Sequence, residues 1–231
     1  MKIRYIQHLV RRSLYPIGTR VLLYHQTTKK IHDPQLLAVS PANFRKHLKF
    51  LKRNYRIISP DEFEASINSG KAINNSVLVT FDDGYADNLS ETVPILEDEN
   101  TPAIFFVATR TAYALTANQI SKLSRSKVVT IGGHTHTHPN LASLPNDSQV
   151  EEIAINKRIL EKACGYKIKF FAYPFGGIDN FTVLSREIVS KYYRLAFTAL
   201  PGIANNHFNR WELPRINIRN WTVEKLESVL S

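Results

Sequence analysis

A chain of 231 residues can bury one sizeable core, and 43% hydrophobic with 22% charged residues and no low-complexity tract excludes a disordered or fibrous protein. Cys164 is the only cysteine, which excludes an internal disulfide and a cysteine-rich zinc module. Thirty Lys and Arg against 20 Asp and Glu give a formal net charge of +10, which favours anionic partners without choosing among nucleic acid, phospholipid and acidic glycan.

Residues 1–19 form a basic opening segment. Ile3, Ile6, Val10 and Leu14 recur at helical spacing beside Lys2, Arg4, Arg11 and Arg12. This predicts an amphipathic helix that either covers the core or makes peripheral contact with an anionic membrane. Arg4, His8, Arg11 and Arg12 interrupt the apolar run that a secretory signal needs, and no run of about 18 apolar residues spans a bilayer. The expected location is cytoplasmic, including the periphery of the inner membrane face.

From residue 20 to 231 the pattern is that of one domain. Short β-branched or aromatic runs predict strands at Val21–Tyr24, Tyr55–Ile58, Val77–Phe81, Ala103–Ala108, Val128–Ile131, Lys169–Tyr173, Leu195–Thr198 and Leu213–Ile218. Their continuous apolar character suits a parallel sheet with both faces covered. Between them a helix is predicted after Ser40-Pro41, burying Phe44, Leu48 and Leu51. Another opens at the capping box Ser59-Pro60…Glu62 and stops at Gly70. A third runs from about Ser148 to Ala163, with Val150, Ile153, Ile159 and Leu160 inward and Gly165 at its end. Thr222 caps a last helix carrying Val223, Leu226 and Leu230. Strand and helix in alternation predict an α/β fold, either a barrel or an open doubly wound sheet.

Two of the strands empty into polar clusters. Val77–Phe81 runs into Asp82-Asp83-Gly84, and adjacent carboxylates repel unless something cationic shares them. Val128–Ile131 runs through Gly132-Gly133 into His134-Thr135-His136-Thr137-His138, which holds three of the eight histidines. In a helical turn His134 and His138 share a face; in an extended segment residues 134, 136 and 138 all point one way. One Asp with two His makes a three-ligand metal site with an open position, and the other Asp is free to act as a general base. Mixed nitrogen and oxygen donors suit Zn2+, with other divalent ions accepted.

Thr80-Phe81-Asp82-Asp83-Gly84 followed by His134-Thr135-His136-Thr137-His138 resembles the first two motifs of the polysaccharide deacetylases, the NodB-homology or carbohydrate esterase family 4 domain. The resemblance covers residues 20 to 220 and implies a distorted parallel (β/α) barrel. It implies Asp82 as base and Asp83, His134 and His138 as metal ligands, with His136 in a supporting or solvent-facing place. Phe171-Ala172-Tyr173-Pro174-Phe175-Gly176 matches the third motif, and the resemblance gives the Phe175 amide to the oxyanion. Many members carry arginine where this chain has Ala172. Arg215, in the late strand, is the candidate substitute for orienting Asp82. No histidine lies downstream of Arg215 to serve as acid. Val21–His25 has the required form instead, as in circularly permuted poly-N-acetylglucosamine deacetylases, and nominates His25 as the group that protonates the leaving amine.

The expected reaction is metal-dependent removal of N-acetyl groups from amino sugars of a polysaccharide or glycoconjugate. The rivals are deacylation of a lipid-linked or nucleotide-linked sugar or of an O-acetyl ester, and a silent sugar-binding protein on the same scaffold. The basic residues are scattered and no phosphate-cradling loop appears, so nucleic acid is not an expected partner.

Overall fold

The apolar runs form parallel strands. The computed structural model describes residues 5–6, 17–29 and 33–231, and most of the expected N-terminal helix therefore lies outside the described residues. In chain order the strands are β1 (Thr19–Tyr24), β2 (Gln26–Thr27), β3 (Ala38–Val39), β4 (Arg56–Ile57), β5 (Ser76–Phe81), β6 (Ala103–Val107), β7 (Val129–Gly133), β8 (Phe170–Ala172), β9 (Leu195–Phe197) and β10 (Ile216–Asn217). The large sheet has the order β10-β1-β5-β6-β7-β8-β9, with β4 also on β5, and β2 pairs separately with β3.

The predicted strand Leu213–Ile218 is ladder-paired only at residues 216–217, because it changes partner part way. Leu213 bridges Phe197 in parallel, and the Thr198 amide donates to its carbonyl at 2.9 Å. After Pro214, which has no amide hydrogen to give, Leu22 and Leu23 align with Ile216 and Asn217, and the Ile218 amide donates to the Leu23 carbonyl. One segment is thus stitched to β9 and then to β1. The sheet curls into a distorted barrel, the expected class.

Strand alternation sorts the core into two clusters. Val77, Val79 and Phe81 of β5 and Ala103, Phe105 and Val107 of β6 join the larger cluster with Phe44, Leu48, Leu51, Ile153 and Leu160 of the covering helices. Leu78, Ile104, Phe106, Phe170, Ala172 and Phe197 form the second cluster with Val21 and Leu213. Both faces are apolar, which is why the strands read as continuous runs.

The helix Pro41–Asn54 is capped by Ser40, and Pro60–Ser69 carries the capping box at Ser59 and Glu62 and ends at Gly70. Thr222 caps Val223–Leu230 through the Lys225 amide. Three helices, Val93–Asp98, Ala117–Leu123 and Val183–Tyr192, and a π-helical turn at Asn88–Thr92 add to those expected. The helix Asn146–Cys164 corrects its predicted face. Its buried residues are Gln149, Ile153, Asn156 and Leu160, whereas Val150 is exposed and Ile159 half-buried. Two polar residues take inward positions because each has bonds to make there. Gln149 donates to the Leu144 carbonyl and accepts from Ser185, while Asn156 serves the site below. Among the described residues no helix is long and apolar enough to cross a membrane.

Candidate active site

Strand parity carries the site residues to the barrel interior. Leu78, Thr80 and Asp82 follow one face of β5, Val21, Leu23 and His25 one face of β1, and Gly132 and His134 one face of β7. His25, Asp82 and His134 are each the next inward position beyond the C-terminal end of their strand. His25, Asp82, Asp83, His134, His138 and Phe175 all line one cleft of about 380 Å³.

Arg215 reaches this cleft floor from the partner-switching segment and is fully buried. Its Nη1 and Nη2 donate to the two carboxylate oxygens of Asp82, each at 2.7 Å, in a bidentate pair. Nε donates to the Thr198 carbonyl at 2.8 Å and Nη1 also to Thr80 Oγ1 at 3.2 Å. The guanidinium lies 5.4 Å above the centre of the Phe106 ring. The chain therefore brings to Asp82 the guanidinium that Ala172 does not supply. Burial works to raise the Asp82 pKa, but Arg215, then the nearby His134, outweigh it and keep the carboxyl ionised below its ordinary range.

Asp83 turns away from Asp82 in a left-handed conformation with φ 75°. Gly84 follows at φ 75°, where a Cβ would sit 2.8 Å from Val107 Cγ1, so the sharp turn needs glycine for both shape and space. Asp83 Oδ1 lies 3.3 Å from His134 Nε2 and 3.2 Å from His138 Nε2. Asp83, His134 and His138 each present one donor atom, all within 4.8 Å of one another. The His134 Nδ1 meets the Ala172 carbonyl at 2.7 Å; a carbonyl only accepts, so Nδ1 carries the proton and Nε2 is left with a lone pair that could ligate a cation. The donor set, its tautomer and its burial fit a divalent cation. Burial lowers the His134 pKa, but Asp82 and Asp83 outweigh it and raise it, as expected where a site is built for positive charge.

The histidine segment is neither helical nor extended. Thr135 and His138 both have positive φ, at 64° and 60°, and the Thr135 hydroxyl accepts from the His138 amide at 3.1 Å. This double turn brings His138 beside His134, with ring centres 4.8 Å apart. His136 turns away, and its Nδ1 pairs with Thr109 Oγ1 at 2.9 Å. Backbone strain of this kind persists only where neighbours over-determine it. Glu152 does so by accepting from the His136 and Thr137 amides at 2.8 and 2.7 Å and from the Thr137 hydroxyl at 2.6 Å. Asn156 accepts from the His134 amide at 3.1 Å and donates to the Val107 carbonyl and to Thr109 Oγ1. Gly133 is required by close approach, since a Cβ there would collide with the Tyr193 hydroxyl.

Phe175 has φ 60° and is 60% exposed, with its ring edge-on to His138 at 4.9 Å. His25 is held at the end of β1 by its carbonyl, which accepts from buried Asn88 at 3.0 Å. Burial lowers the His25 pKa, opposed by the charges of Asp82 and Asp83.

Four residues of the site escape a reading of motifs. Asn156 and Glu152 support the histidine turn from a helix whose only signal was a polar residue inside an apolar stripe. Tyr85 and Tyr113 line the cleft with ring centres 4.4 Å apart. Tyr85 directly follows the Asp-Asp-Gly turn, while Tyr113 lies in a loop without pattern. Burial and then the Asp83 charge push the Tyr113 hydroxyl up to about 12, and Tyr85 is raised for the same two reasons.

Residues 69–192 match the polysaccharide deacetylase family. YxkH of Bacillus subtilis, named for that family, is 26% identical over 208 residues, covering 88% of this chain and 72% of that protein. The peptidoglycan-N-acetylglucosamine deacetylase of Bacillus cereus is 34% identical over 113 residues, 48% of this chain and 40% of that enzyme. The structure of the Streptococcus pyogenes deacetylase PplD, solved with acetate, superposes with a TM-score of 0.81 at 25% identity, covering 94% of this chain and 99% of that one. With the two acidic and histidine motifs at strand ends of a curled parallel sheet, the chain belongs to the polysaccharide deacetylase family, hydrolases that cut amide bonds of acetylated polysaccharides.

Proposed function

We propose that this chain hydrolyses the N-acetyl group of an amino sugar within a polysaccharide or glycoconjugate, using a divalent ion held by Asp83, His134 and His138. The observation that carries this reading is the juxtaposition of that three-donor cluster with an ionised Asp82 clamped by Arg215 in one cleft. A bound ion, zinc by the chemistry of its donors, supplies Lewis acidity toward the amide carbonyl and toward water.

The remaining steps belong to the chain. Asp82, ionised and fixed by two hydrogen bonds, accepts the proton of the attacking water. Arg215 orients that carboxylate and acts only through it. The Phe175 amide, aimed by its left-handed backbone, donates to the oxygen that gains charge as the carbonyl becomes tetrahedral. His25 gives a proton to the amide nitrogen as the C–N bond breaks, releasing acetate and a free amine. The buried floor of Thr80, Arg215 and Phe106 keeps bulk water from the Asp82 pair, which strengthens each of these interactions.

Acetate release from N-acetylglucosamine oligomers by protein stripped of metal and then reloaded with zinc tests the proposal. Release that returns with zinc is the expected result. A zinc-loaded protein that frees no acetate from these oligomers overturns the N-acetyl assignment.

A further inference from the structure

His25 stands between two ladders and belongs to neither. The Tyr24 carbonyl accepts from the Asp82 amide at 2.9 Å, where β1 leaves β5, and the Gln26 amide donates to the Leu37 carbonyl at 3.2 Å, where the chain turns toward β3. Among the described residues the His25 imidazole has no hydrogen-bond partner, so the place of the ring follows from the backbone that carries it. Asn88 holds that backbone: its Nδ2 donates to the His25 carbonyl at 3.0 Å and reaches Asp87 Oδ1 at 3.4 Å.

Asn88 opens the π-helical turn Asn88–Thr92, in which the Val93 amide reaches back to the Asn88 carbonyl, a geometry frequent at functional sites. The turn follows closely on Asp82-Asp83-Gly84, and the Asn88 amide donates to the Tyr85 carbonyl at 3.0 Å. One stretch of chain therefore presents Asp82 and Asp83 to the cleft and Asn88 to the backbone of His25. Asn88 is fully buried, and its Oδ1 has no hydrogen-bond partner among the described residues. A buried unpaired acceptor is a cost that an apolar side chain of similar size would avoid, so packing alone does not account for asparagine here.

We propose that Asn88 is a positioning residue for the reaction, fixing the backbone of His25 so that the imidazole stands where it can protonate the leaving nitrogen. This role rests on the amino-sugar reading above, because Asn88 acts only through His25.

A double-mutant cycle on zinc-loaded protein, with N-acetylglucosamine oligomers as substrate, separates positioning from a merely structural part. Asn88→Leu keeps the volume and removes the donor; Asn88→Ala takes its place where the leucine variant does not fold. In the wild-type background kcat should fall by roughly 10–100-fold, with KM and zinc content unchanged, as for a misplaced reacting group. In a His25→Ala background the same substitution should change kcat by less than about twofold, since the group it positions is gone. Equal losses in both backgrounds, or no loss in the first, overturn the proposal. NMR of the histidine rings gives a readout without turnover: the His25 signals should shift or broaden in Asn88→Leu while those of His134 and His138 stay in place. His25 signals identical to the wild type overturn the positioning role whether or not acetate is released. Displaced His25 signals in a protein whose wild type frees no acetate sustain Asn88 as the anchor and overturn the N-acetyl reading instead.

Discussion

Arg215 and Asp82 form an ion pair that is worthwhile only as a whole. A fully buried guanidinium without its carboxylate, or the reverse, is an unpaired charge in a low-dielectric interior. Arg215→Met should therefore cost about 3–5 kcal/mol of stability, measured by urea unfolding. Arg215→Lys keeps the charge but cannot make the two parallel bonds, so it should retain more stability than Arg215→Met while losing most activity. Asp82→Asn leaves an acceptor for Arg215 but no base. Its kcat should fall by roughly 10²–10⁴ with zinc content unchanged by elemental analysis, and full activity in that variant would remove Asp82 from the mechanism. The Asp-Asp-Gly and His-to-His motifs were legible as residues because their chemistry is written in consecutive letters. Arg215 could be nominated but not placed, since nothing in a linear pattern states which strand faces Asp82 across a barrel.

Elements show the same division. The capping box at Ser59 and Glu62 was readable because it is a local rule satisfied within four residues, and both of its bonds form. Ser59→Ala should lower stability by about 1 kcal/mol. The Glu62 carboxyl is held below its ordinary pKa, first by the Ser59 amide and then by other bonds that include Arg56. A depressed folded-state pKa means that this stabilisation is present above the unfolded value and is lost as pH falls through the folded one. The urea midpoint of the wild type should thus drop further between about pH 7 and about pH 3 than that of Glu62→Gln. The helix Asn146–Cys164 was readable in extent but not in face. Apolar spacing favoured Val150, whereas Gln149 and Asn156 are buried by tertiary partners that the helix itself does not reveal. Glu152 on the same helix holds three bonds of the histidine turn, so Glu152→Ala should weaken zinc binding about 10–100-fold in chelator competition while leaving the helix formed.

At the scale of the molecule, the three-donor cluster of Asp83, His134 and His138 links the ends of β5 and β7 through side chains alone, and an ion that bound there only in the folded state would stabilise it by mass action. Removing divalent metal should lower the melting temperature, by an amount equivalent to about 2.7 kcal/mol where the free ion had stood at a hundredfold its Kd. Asp83→Ala should abolish that response, and a melting temperature indifferent to chelator would remove the three-donor cluster as a metal site. The sequence by itself determined the parallel α/β class, the positions of the eight strands of the large sheet, the caps at Ser59 and Thr222 and the identity of the chemical groups, because periodicity, capping and motif order are local; the short β2–β3 pair and three of the helices lay outside that reading. Only the tertiary structure decided that one segment stitches the two ends of the curled sheet, and it placed His134 and His138 beside Asp83 with His136 turned away, and Arg215 on Asp82, contacts that the resemblance and the motifs implied without positioning them. Those outcomes depend on one segment changing strand partners at Pro214 and on two left-handed residues in the histidine turn, both held by contacts between residues far apart in the chain.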